Sequence, residues 1–440
     1  MLRNYLKVAV RNLLKNKSQL LINALGMGIA IACCLTAYLF VGYNIEFDSF
    51  HSKAKTRDIY RLHSHVKSEG QDPRQVIGAP YVVGPMAAQD FSGIKRYLRY
   101  ALDQVGVSYG SNSSEEIKSF YESVAFADST LFDMFDFPLA SGSHEAFKDK
   151  YSVFIDQERA SKYFGEENPI GKTLTLSFTG GVAKQFTVAG VVKDIPLNSS
   201  IHLPIVIRFE IFEEIRNKVL PTWQDWMLPA IFFDLESPDR TDQTAALFMK
   251  FAPLRNEVVQ QEEVFGYSLE PFHSALDAAQ VQWSFLGMPI DTRGVFVFVA
   301  LAVMILFVGC FNLANTSLAM AVGRLKEIGL RRVSGATSRQ VMTQFLLETL
   351  LIVVLSTVVA WLISRAIVPE FTAMWGMPYG LEDLSGLNLM LTILVLVLVV
   401  SVLSGLFPSL LSARVQTVNL LKGYAKVQGF NLFSRSLVAL

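Results

Sequence analysis

One stretch of the sequence carries side chains that could bind a nucleotide. Residues 165–173 run Gly-Glu-Glu-Asn-Pro-Ile-Gly-Lys-Thr, which approaches a phosphate-binding loop. That loop needs four residues between its glycines, so that successive backbone N–H groups converge on the phosphates. Here five residues intervene, Pro169 has no N–H, and a strand pattern rather than a helix pattern follows. We therefore predict a turn that enters a strand, and no nucleotide site.

The histidines are the second group that could do chemistry. His63 and His65 would share one face of a strand, a spacing that suits a metal ion. A carboxylate or third histidine at recognisable spacing is missing, so we expect exposed polar histidines and no metal site. The zinc motif HExxH and a nucleophile elbow are also missing, so we predict no catalytic residue, no cofactor and no enzyme. The six histidines are His51, His63, His65, His144, His202 and His273.

A basic segment at residues 323–340 is the most informative part of the chain. It runs Gly-Arg-Leu-Lys-Glu-Ile-Gly-Leu-Arg-Arg-Val-Ser-Gly-Ala-Thr-Ser-Arg-Gln, and Gly335 breaks it before an apolar run begins. Its five cations alone would serve as an orientation signal. That interpretation leaves out Glu327, the glycines and an apolar edge. A docking helix for a cytoplasmic partner accounts for them, with the apolar edge formed by Leu325, Ile328 and Leu330.

Four apolar stretches must position this segment. At 1.5 Å per residue, about 20 apolar residues cross a hydrocarbon core of roughly 30 Å. Apolar residues make up 51% of the chain and charged residues only 18%, which favours membrane helices over buried soluble ones. The net charge is zero, so no basic field predicts a nucleic-acid partner. The predicted spans are residues 20–43, 295–322, 345–368 and 387–411.

The flanking charges orient these spans. Basic residues collect on the cytoplasmic side of bacterial membrane proteins. The connection at residues 369–386 has three acids and no Lys or Arg, and residues 323–340 carry cations against the single Glu327. We therefore predict that both termini and residues 323–340 are cytoplasmic, while residues 44–293 lie outside. The basic flanks are Arg3, Lys7, Arg11, Lys15 and Lys17 before the first span, and Arg414, Lys422, Lys426 and Arg435 after the last.

The first span is predicted to be an uncleaved anchor, because its apolar run exceeds that of a signal peptide and lacks a cleavage site. The preceding residues 5–17 mix apolar and basic side chains, and two alternatives stay open. They form an amphipathic helix on the inner membrane surface, or they continue the first span inward. Within the span, small residues recur every four positions and predict a close helix–helix contact: Ala24, Gly28 and Ala32.

The external region at residues 44–293 is predicted to be mixed α and β. It contains none of the three cysteines, so disulfides and cysteine zinc sites are excluded there. Alternation and β-branched residues predict strands at residues 151–156, 173–179, 185–193 and 231–235, with a turn at Gly180-Gly181. Helix is predicted for residues 157–164. Helical or loop-like structure is expected at residues 128–135, 225–227 and 241–255.

These residues resemble the FtsX-like, MacB-type permeases of ABC transporters. The segment pattern is specific: Arg324, Lys326, Glu327, Ile328, Gly329, Arg331, Gly335 and Ala336, followed by Phe345 and Glu348. The external region is similar to the family's periplasmic core domain through Phe47-Asp48, Phe50-His51, Ile59-Tyr60-Arg61, Ala160, Phe164-Gly165, residues 168–172 and residues 188–196. The order of one span, a large domain and three spans is also typical of the family.

The resemblance implies a membrane α-helical protein of four spans with an α+β extracytoplasmic domain between helices 1 and 2. Five parts follow: residues 1–19 as a cytoplasmic amphipathic helix, 20–43 as the first span, 44–293 as the periplasmic core domain, 294–411 as the FtsX-like domain, and 412–440 as a cytoplasmic tail or the start of a second repeat. The implied location is the bacterial inner membrane.

The resemblance also implies a mechanism. A separate cytoplasmic ABC ATPase dimer would push on residues 323–340, and the spans would relay the movement to the periplasmic domain. The eight matching residues from Arg324 to Ala336 would be the ATPase-coupling loop, and Glu348 a coupling residue within the membrane. An alternative stays open, in which the protein is a sensor or regulator that binds a peptide, a lipid or a cell-wall hydrolase outside without transporting cargo.

The resemblance implies further partners. The chain end resembles the entry to another span, so we expect the first half of a long duplicated permease of the Bacteroidetes type, or a half that pairs with a second copy. One unit offers one coupling loop, whereas an ATPase dimer presents two docking grooves. A periplasmic adaptor, an outer-membrane channel and membrane lipid are also expected, while macrolide, peptide and lipoprotein cargoes all fit.

Four polar positions inside the spans have no assigned role from the pattern alone. Glu348 lies about 12 Å along the helix from Gln340, the last residue of the basic segment, and it is either a packing residue or an ion partner for cations of the segment. Asn312 and Asn315 are expected to form interhelical hydrogen bonds rather than a transport path. Arg365 is expected to extend outward from the end of the third span.

Overall fold

The computed structural model divides the chain into two compact units. The helical unit comprises Met1–Gly42 and Arg293–Leu440, and the inserted domain comprises Tyr43–Thr292. The structure describes residues 2–52, 58–109, 118–196, 198–216, 223, 229–236, 241–272, 285–289, 291–374 and 386–414.

Two helices open the chain, α1 (Leu2–Lys15) and α2 (Lys17–Ile45). Asn16 separates them. Its N–H donates to the Leu13 carbonyl (3.1 Å), and its own carbonyl accepts from the Leu20 N–H (3.0 Å). Asparagine favours such a start because its short polar side chain suits the non-helical position before a helix. The opening residues thus form a helix of their own, and its location on the inner membrane surface stays a prediction.

One large sheet forms the inserted domain. Among the described residues it has eleven strands: β1 (Ile59–Ser68), β2 (Arg74–Ile77), β3 (Ile94–Tyr109), β4 (Lys118–Ala127), β5 (Leu139–Gly142), β6 (Ser152–Asp156), β7 (Thr173–Phe178), β8 (Val182–Val192), β9 (Ile205–Arg208), β10 (Ala230–Leu235) and β11 (Glu262–Pro271). Their order is β11-β1-β10-β3-β4-β9-β6-β8-β5, with β2 on β1 and β7 on β3 and β8. The pairs β4–β9 and β6–β8 are parallel and the other pairs are antiparallel.

Short helices cover this sheet and close its apolar cores. Phenylalanine rings dominate the core that packs on β3, β4 and β6, where Phe135, Phe154 and Phe232 are fully buried. Burial of such rings contributes about 1.5–3 kcal/mol each. The helices are α3 (Val83–Asp90), α4 (Leu131–Met134), α5 (Gln157–Phe164), α6 (Phe209–Arg216), α7 (Thr241–Leu247) and α8 (Ala252–Val258), with 3-10 helices at His144–Lys148 and Phe248–Phe251.

Most of the local predictions for the inserted domain are confirmed. The strands expected at residues 151–156, 173–179, 185–193 and 231–235 are β6, β7, β8 and β10, and the expected helix is α5. Gly180 and Gly181 have φ of +86° and +76°, the backbone that a tight hairpin turn requires. Residues 128–135 and 241–255 contain α4, α7, the second 3-10 helix and the start of α8. Residues 225–227 lie outside the described residues.

Four helices complete the helical unit: α9 (Thr292–Gly323), α10 (Leu325–Val333), α11 (Ser338–Met374) and α12 (Gly386–Arg414). Together with α2, the helices α9, α11 and α12 are long and apolar enough to cross a membrane. The predicted fold class, four apolar helices with an α+β domain between the first and the rest, is confirmed.

The third span is longer than the sequence suggested. A helix was expected to end before Pro369, because proline lacks the N–H and its ring clashes with the preceding turn. Instead α11 continues through Pro369 to Met374. Aromatic packing holds the extra turn, since the ring of Phe371 lies 5.8 Å from Phe40 and 6.0 Å from Phe298.

The small-residue face of α2 makes the predicted close contact. Ala24, Gly28 and Ala32 are buried. A Cβ built on Gly28 would lie 2.8 Å from Val359 Cγ1 of α11 and 3.2 Å from the Ser356 carbonyl oxygen. The two helix backbones approach so closely that only glycine fits at this position.

Candidate functional site

The segment between α9 and α11 contains a short helix with a well-defined end. Helix α10 stops where Gly335 adopts φ +97°, and the Ala336 N–H donates to the Arg331 carbonyl (3.0 Å). This is the Schellman pattern, with glycine at the left-handed position. A residue with a Cβ pays about 1–2 kcal/mol for that backbone. Gly335 therefore sets where the helix ends.

Helix α11 begins at Ser338, three residues after Gly335, and a reciprocal cap precedes it. The Thr337 N–H donates to Gln340 Oε1 (2.9 Å), and the Gln340 N–H faces Thr337 Oγ1 (3.4 Å). This Thr-x-x-Gln pattern is a capping box, which satisfies two otherwise unpaired backbone donors. Residues 334–337 thus form a corner with a helix stop on one side and a helix start on the other.

Glu348 of α11 is the centre of a hydrogen-bond network that joins three parts of the helical unit. Arg324 Nη1 donates to its Oε2 and Oε1 (3.0 and 3.3 Å), and Asn12 Nδ2 of α1 donates to Oε1 (2.8 Å). Gln344 Nε2 adds a third donor (3.3 Å). The side chains of Glu348 and Arg324 are 10% and 18% exposed, so water screens this pair only weakly. Of the two alternatives for Glu348, the structure shows the ion pair.

The network continues onto α10. Arg331 Nη1 donates to Gln344 Oε1 (2.8 Å), and Arg331 Nη2 pairs with Glu327 Oε1 (2.5 Å). Gln344 therefore accepts from Arg331 and donates to Glu348. Side chains of α1, α10 and α11 share one polar chain that runs from Glu327 to Asn12.

The apolar residues of α10 face two ways, which corrects the expected single edge. Ile328 is 7% exposed and packs with Ala321, Val341 and Phe345. Leu330 is 65% exposed. Successive helical residues turn by about 100°, so positions 328 and 330 point apart while 330 and 333 lie together. Among the described side chains of α10, the exposed apolar ones are Leu330 and Val333, 65% and 64% exposed, and the side chain of Leu325 lies outside the described residues.

The remaining predicted coupling residues occupy the same corner. Gly329 is buried and Ala336 is half-buried. The backbone of Lys326 is helical, and its side chain lies outside the described residues. An open groove runs along the corner between α10 and α11, lined by Leu330, Arg331, Ser334, Gly335, Ala336 and Gln340.

Three participants were not predicted: Asn12, Gln344 and the Thr337–Gln340 cap. The Thr-x-x-Gln spacing before an apolar run was a usable signal for the cap. Asn12 and Gln344 carry no such signal, because their role depends on how α1 and α11 pack.

Two asparagines of α9 differ from expectation. Asn312 and Asn315 were expected to form interhelical hydrogen bonds, but both are exposed, and their side-chain amides have no partner among the described residues. Arg365 is exposed on α11, and its extension outward from the span stays a prediction.

The phosphate-loop-like stretch is a turn that enters a strand, as predicted. Gly171 has φ +84°, and its N–H donates to the Val188 carbonyl of β8 (2.8 Å). Asn168 Oδ1 accepts from the Ile170 N–H (3.1 Å), and Lys172 pairs with Glu167. The backbone donors of this turn that the structure describes are thus directed inward to the fold.

The expectation of exposed histidines is wrong for four of them, because His51 and His63 are buried and His65 and His202 are half-buried. His51 is fully buried among phenylalanine rings, and His63 is 3% exposed on β1. Burial lowers the pKa of His63 to about 4, so it is neutral at physiological pH. Its Nδ1 lies 3.5 Å from Gln75 Oε1, and His65 Nε2 lies 3.0 Å from Ser268 Oγ. The described part of the chain holds no cluster of potential metal ligands, and His273 lies outside it.

Three solved structures are similar to part of this chain. The first is a domain of a protein described as a permease from Porphyromonas gingivalis, at 19% identity and TM-score 0.39, covering 50% of this chain and 92% of that one. The second is the extracellular domain of the noncanonic ABC-type transporter YknZ from Gram-positive bacteria, at 16% identity and TM-score 0.32, covering 48% of this chain and 98% of that one. The third is the periplasmic region of MacB from Actinobacillus actinomycetemcomitans, at 15% identity and TM-score 0.31, covering 48% of this chain and 88% of that one.

Two family models match the sequence. The MacB-like periplasmic core domain matches residues 20–250, more than half of the chain, and the FtsX-like permease C-terminal domain matches residues 299–417. No curated protein matches it. The chain belongs to the family of FtsX-like permeases with a MacB-like periplasmic core domain.

Proposed function

We propose that this chain is a permease subunit that couples ATP hydrolysis by a separate cytoplasmic ATPase to movement of its periplasmic domain. The family implies an ABC transporter permease, a multi-pass inner-membrane component that is not itself an enzyme. Its members work with cytoplasmic ABC ATPases. Beyond this family role, we propose that the membrane helices transmit movement from the ATPase to the periplasmic domain.

The network around Glu348 is the observation that carries this proposal. A partner that pushes on α10 acts on Arg331 and Glu327, and their hydrogen bonds continue through Gln344 to Glu348. Glu348 lies on α11, a helix of 37 residues that is long enough to span a bilayer. A force applied to α10 at the corner is therefore transmitted through these hydrogen bonds to the membrane helix α11.

The exposed face of the corner supports a docked partner. Leu330 and Val333 place two apolar side chains next to the groove at Gly335 and Ala336. Apolar residues rimmed by charge are typical of protein interaction sites. We assign this face to the ATPase, with the corner and both termini in the cytoplasm as the basic flanks predict.

Two exposed asparagines of α9, Asn312 and Asn315, have no hydrogen-bond partner within the part of the chain that the structure describes, which supports a second membrane unit. Asn312 lies about 18 Å along the helix from Arg324, within the hydrocarbon core. An amide without a partner is costly there. We propose that a second permease half or copy covers this region, which also supplies the second coupling loop that an ATPase dimer needs.

The test uses the chain reconstituted in lipid nanodiscs with the ABC ATPase that copurifies with it. Glu327→Lys reverses a charge in the network and Gly335→Arg forces a side chain into the left-handed corner. We expect each to lower permease-dependent ATP hydrolysis by about tenfold, which corresponds to roughly 1.4 kcal/mol of coupling. Glu370→Lys, the same charge reversal at the other end of α11, is the matched control.

Two results would contradict this function. ATP hydrolysis that is unchanged by both corner variants would remove the corner from the coupling path. Capture of a cell-wall hydrolase or a peptide by the periplasmic domain, without any copurifying ATPase, would favour the sensor alternative instead.

A further inference from the structure

The two ends of the inserted domain meet at one loop. The entry segment, residues 47–51, follows α2, which ends at Ile45. The exit segment, residues 285–289, precedes α9, which begins at Thr292. Both are bonded to residues 198–203, here named the junction loop, which leads directly into β9. Segments more than 200 residues apart in sequence thus share one support.

Asp48 fixes the entry segment to the junction loop. Its N–H donates to the Asn198 carbonyl (2.8 Å), and its Oδ1 accepts from the Ser200 N–H (2.6 Å) and from Ser199 Oγ (3.4 Å). Asp48 is 2% exposed and has φ +56°. Aspartate is one of the few residues with a Cβ that accept this backbone. A buried carboxylate in a left-handed conformation persists only where its surroundings hold it.

Gly287 fixes the exit segment to the same residue. Its N–H donates to the Ser200 carbonyl (2.8 Å). A Cβ at Gly287 would lie 2.6 Å from the Ser199 carbonyl oxygen and 3.1 Å from His202 Nε2, so the contact requires glycine. Leu286 is 5% exposed and packs in the same apolar core as Ile201 and Leu203.

Ser200 therefore binds both ends at once, its N–H to the entry segment and its C=O to the exit segment. The loop is also tied to the sheet. The Tyr100 hydroxyl of β3 donates to the His202 carbonyl (2.8 Å) and accepts from the His202 N–H (3.3 Å). Tyr100 is fully buried, and β9 pairs with both β4 and β6.

We propose that the junction loop is the mechanical junction of the inserted domain, with Ser200 transmitting movement from both membrane connections to the sheet. Asp48 and Gly287 are the positioning residues that join those connections to it. The role of this loop in transmitting movement rests on the proposed function. The physical coupling of the two ends can be measured without an ATPase.

Hydrogen exchange of the full chain in nanodiscs tests this coupling. Asp48→Gly removes the carboxylate and keeps a residue that accepts φ +56°, whereas Asp48→Asn retains an oxygen acceptor. We expect Asp48→Gly to speed exchange of the Gly287 amide by about tenfold, because the shared support at Ser200 loosens. Asp48→Asn should leave that rate within about twofold of the unaltered protein. Coupling is reciprocal, so Gly287→Ala should speed exchange at the Asp48 amide.

Val83→Ala is the control for general destabilisation, because it opens a cavity in an apolar core that includes no residue of the entry segment, the exit segment or the junction loop. The proposal fails if Asp48→Gly leaves the Gly287 amide unchanged, or if Val83→Ala speeds that amide as much. A chain that shows the exchange coupling but never stimulates an ATPase would retain the junction and lose the proposed function.

Discussion

The inner corner and the junction loop are held by opposite kinds of contact. At the corner, long side chains of Glu327, Arg331 and Glu348 make the connections. At the junction loop, most donors and acceptors are backbone groups, and the participating aspartate is buried. The exposed pair of Glu327 and Arg331 can exchange partners at little cost, whereas buried backbone bonds cannot be lost without a penalty of about 1–3 kcal/mol. We infer that the corner, where the ATPase is proposed to bind, can change its side-chain pairing, whereas the junction loop stays rigid.

Removal of Glu348 should break the corner most severely. Glu348→Ala leaves the Arg324 guanidinium largely buried without its partner, so we expect the free energy of unfolding to fall by about 3–5 kcal/mol. Denaturation of the helical unit in SDS-containing micelles measures this. Glu370→Ala, an exposed carboxylate on the same helix, should change it by less than about 0.5 kcal/mol. Equal effects would show that the network contributes no stability.

The stability of the inserted domain, which contains the junction loop, should depend on pH through the buried His63. Its pKa is lowered from 6.5 to about 4 by burial, with Arg61 adding to the effect. The folded state therefore holds neutral histidine, and this stability is full above pH 6.5 and lost as pH falls toward 4. One pKa unit corresponds to about 1.4 kcal/mol, so roughly 3 kcal/mol is at stake.

His63→Gln isolates that contribution, because glutamine does not titrate. Asp48 has the opposite slope, since burial raises its pKa to about 6, so the difference between the two proteins is the informative quantity. Urea unfolding followed by tryptophan fluorescence should show that the free energy of unfolding of the unaltered protein, relative to that of His63→Gln, falls by roughly 3 kcal/mol from pH 7 to pH 4. A difference that does not change with pH would mean that His63 is solvated in the folded state.

The close contact of α2 and α11 can be broken by one methyl group. Gly28→Ala places a Cβ 2.8 Å from Val359 Cγ1, and we expect a loss of about 1–3 kcal/mol. Gly26→Ala is a matched control two residues away, where a Cβ meets only Asn312 Nδ2 at 3.9 Å. Thermal denaturation in detergent distinguishes them. If both variants melt alike, the contact is looser than the geometry indicates.

Gly335→Ala should have the smallest effect on stability and the most local one. The alanine pays about 1–2 kcal/mol at φ +97°, although its Cβ meets no atom within 4 Å. We expect faster exchange of the Ala336 amide and little change elsewhere. An unchanged Ala336 rate would mean that the corner does not depend on its glycine.

The membrane helices were predictable because a span of about 20 apolar residues is an overwhelming local signal. The hairpin of β7 and β8 was predictable from alternation and its Gly-Gly turn. Strand β3 was not, because Arg99 interrupts its apolar pattern. The structure shows why that cation is tolerated: Arg99 is buried against Asp128 (2.7 Å) and lies 4.2 Å over the ring of Phe209.

The candidate site divides in the same way. The pairing of Glu348 with a cation of the segment was one of two alternatives that the sequence left open, whereas the helix stop followed from Gly335. The split of Ile328 from Leu330 was also calculable from the helical period, but the expected apolar edge ignored it. Asn12 and Gln344, and the meeting of Asp48 with Gly287, depend on tertiary packing between distant segments. No local pattern encodes such contacts.

Photo-crosslinking at the exposed face of α10 tests the central claim most directly. A photoreactive amino acid at Val333, in membranes that also contain the ABC ATPase, should give an adduct with the ATPase whose yield changes with ATP. The same group at Met304, exposed on α9, serves as the control and should give none. An adduct at Met304 but none at Val333, or labelling of Val333 only from the periplasmic side, would contradict the account.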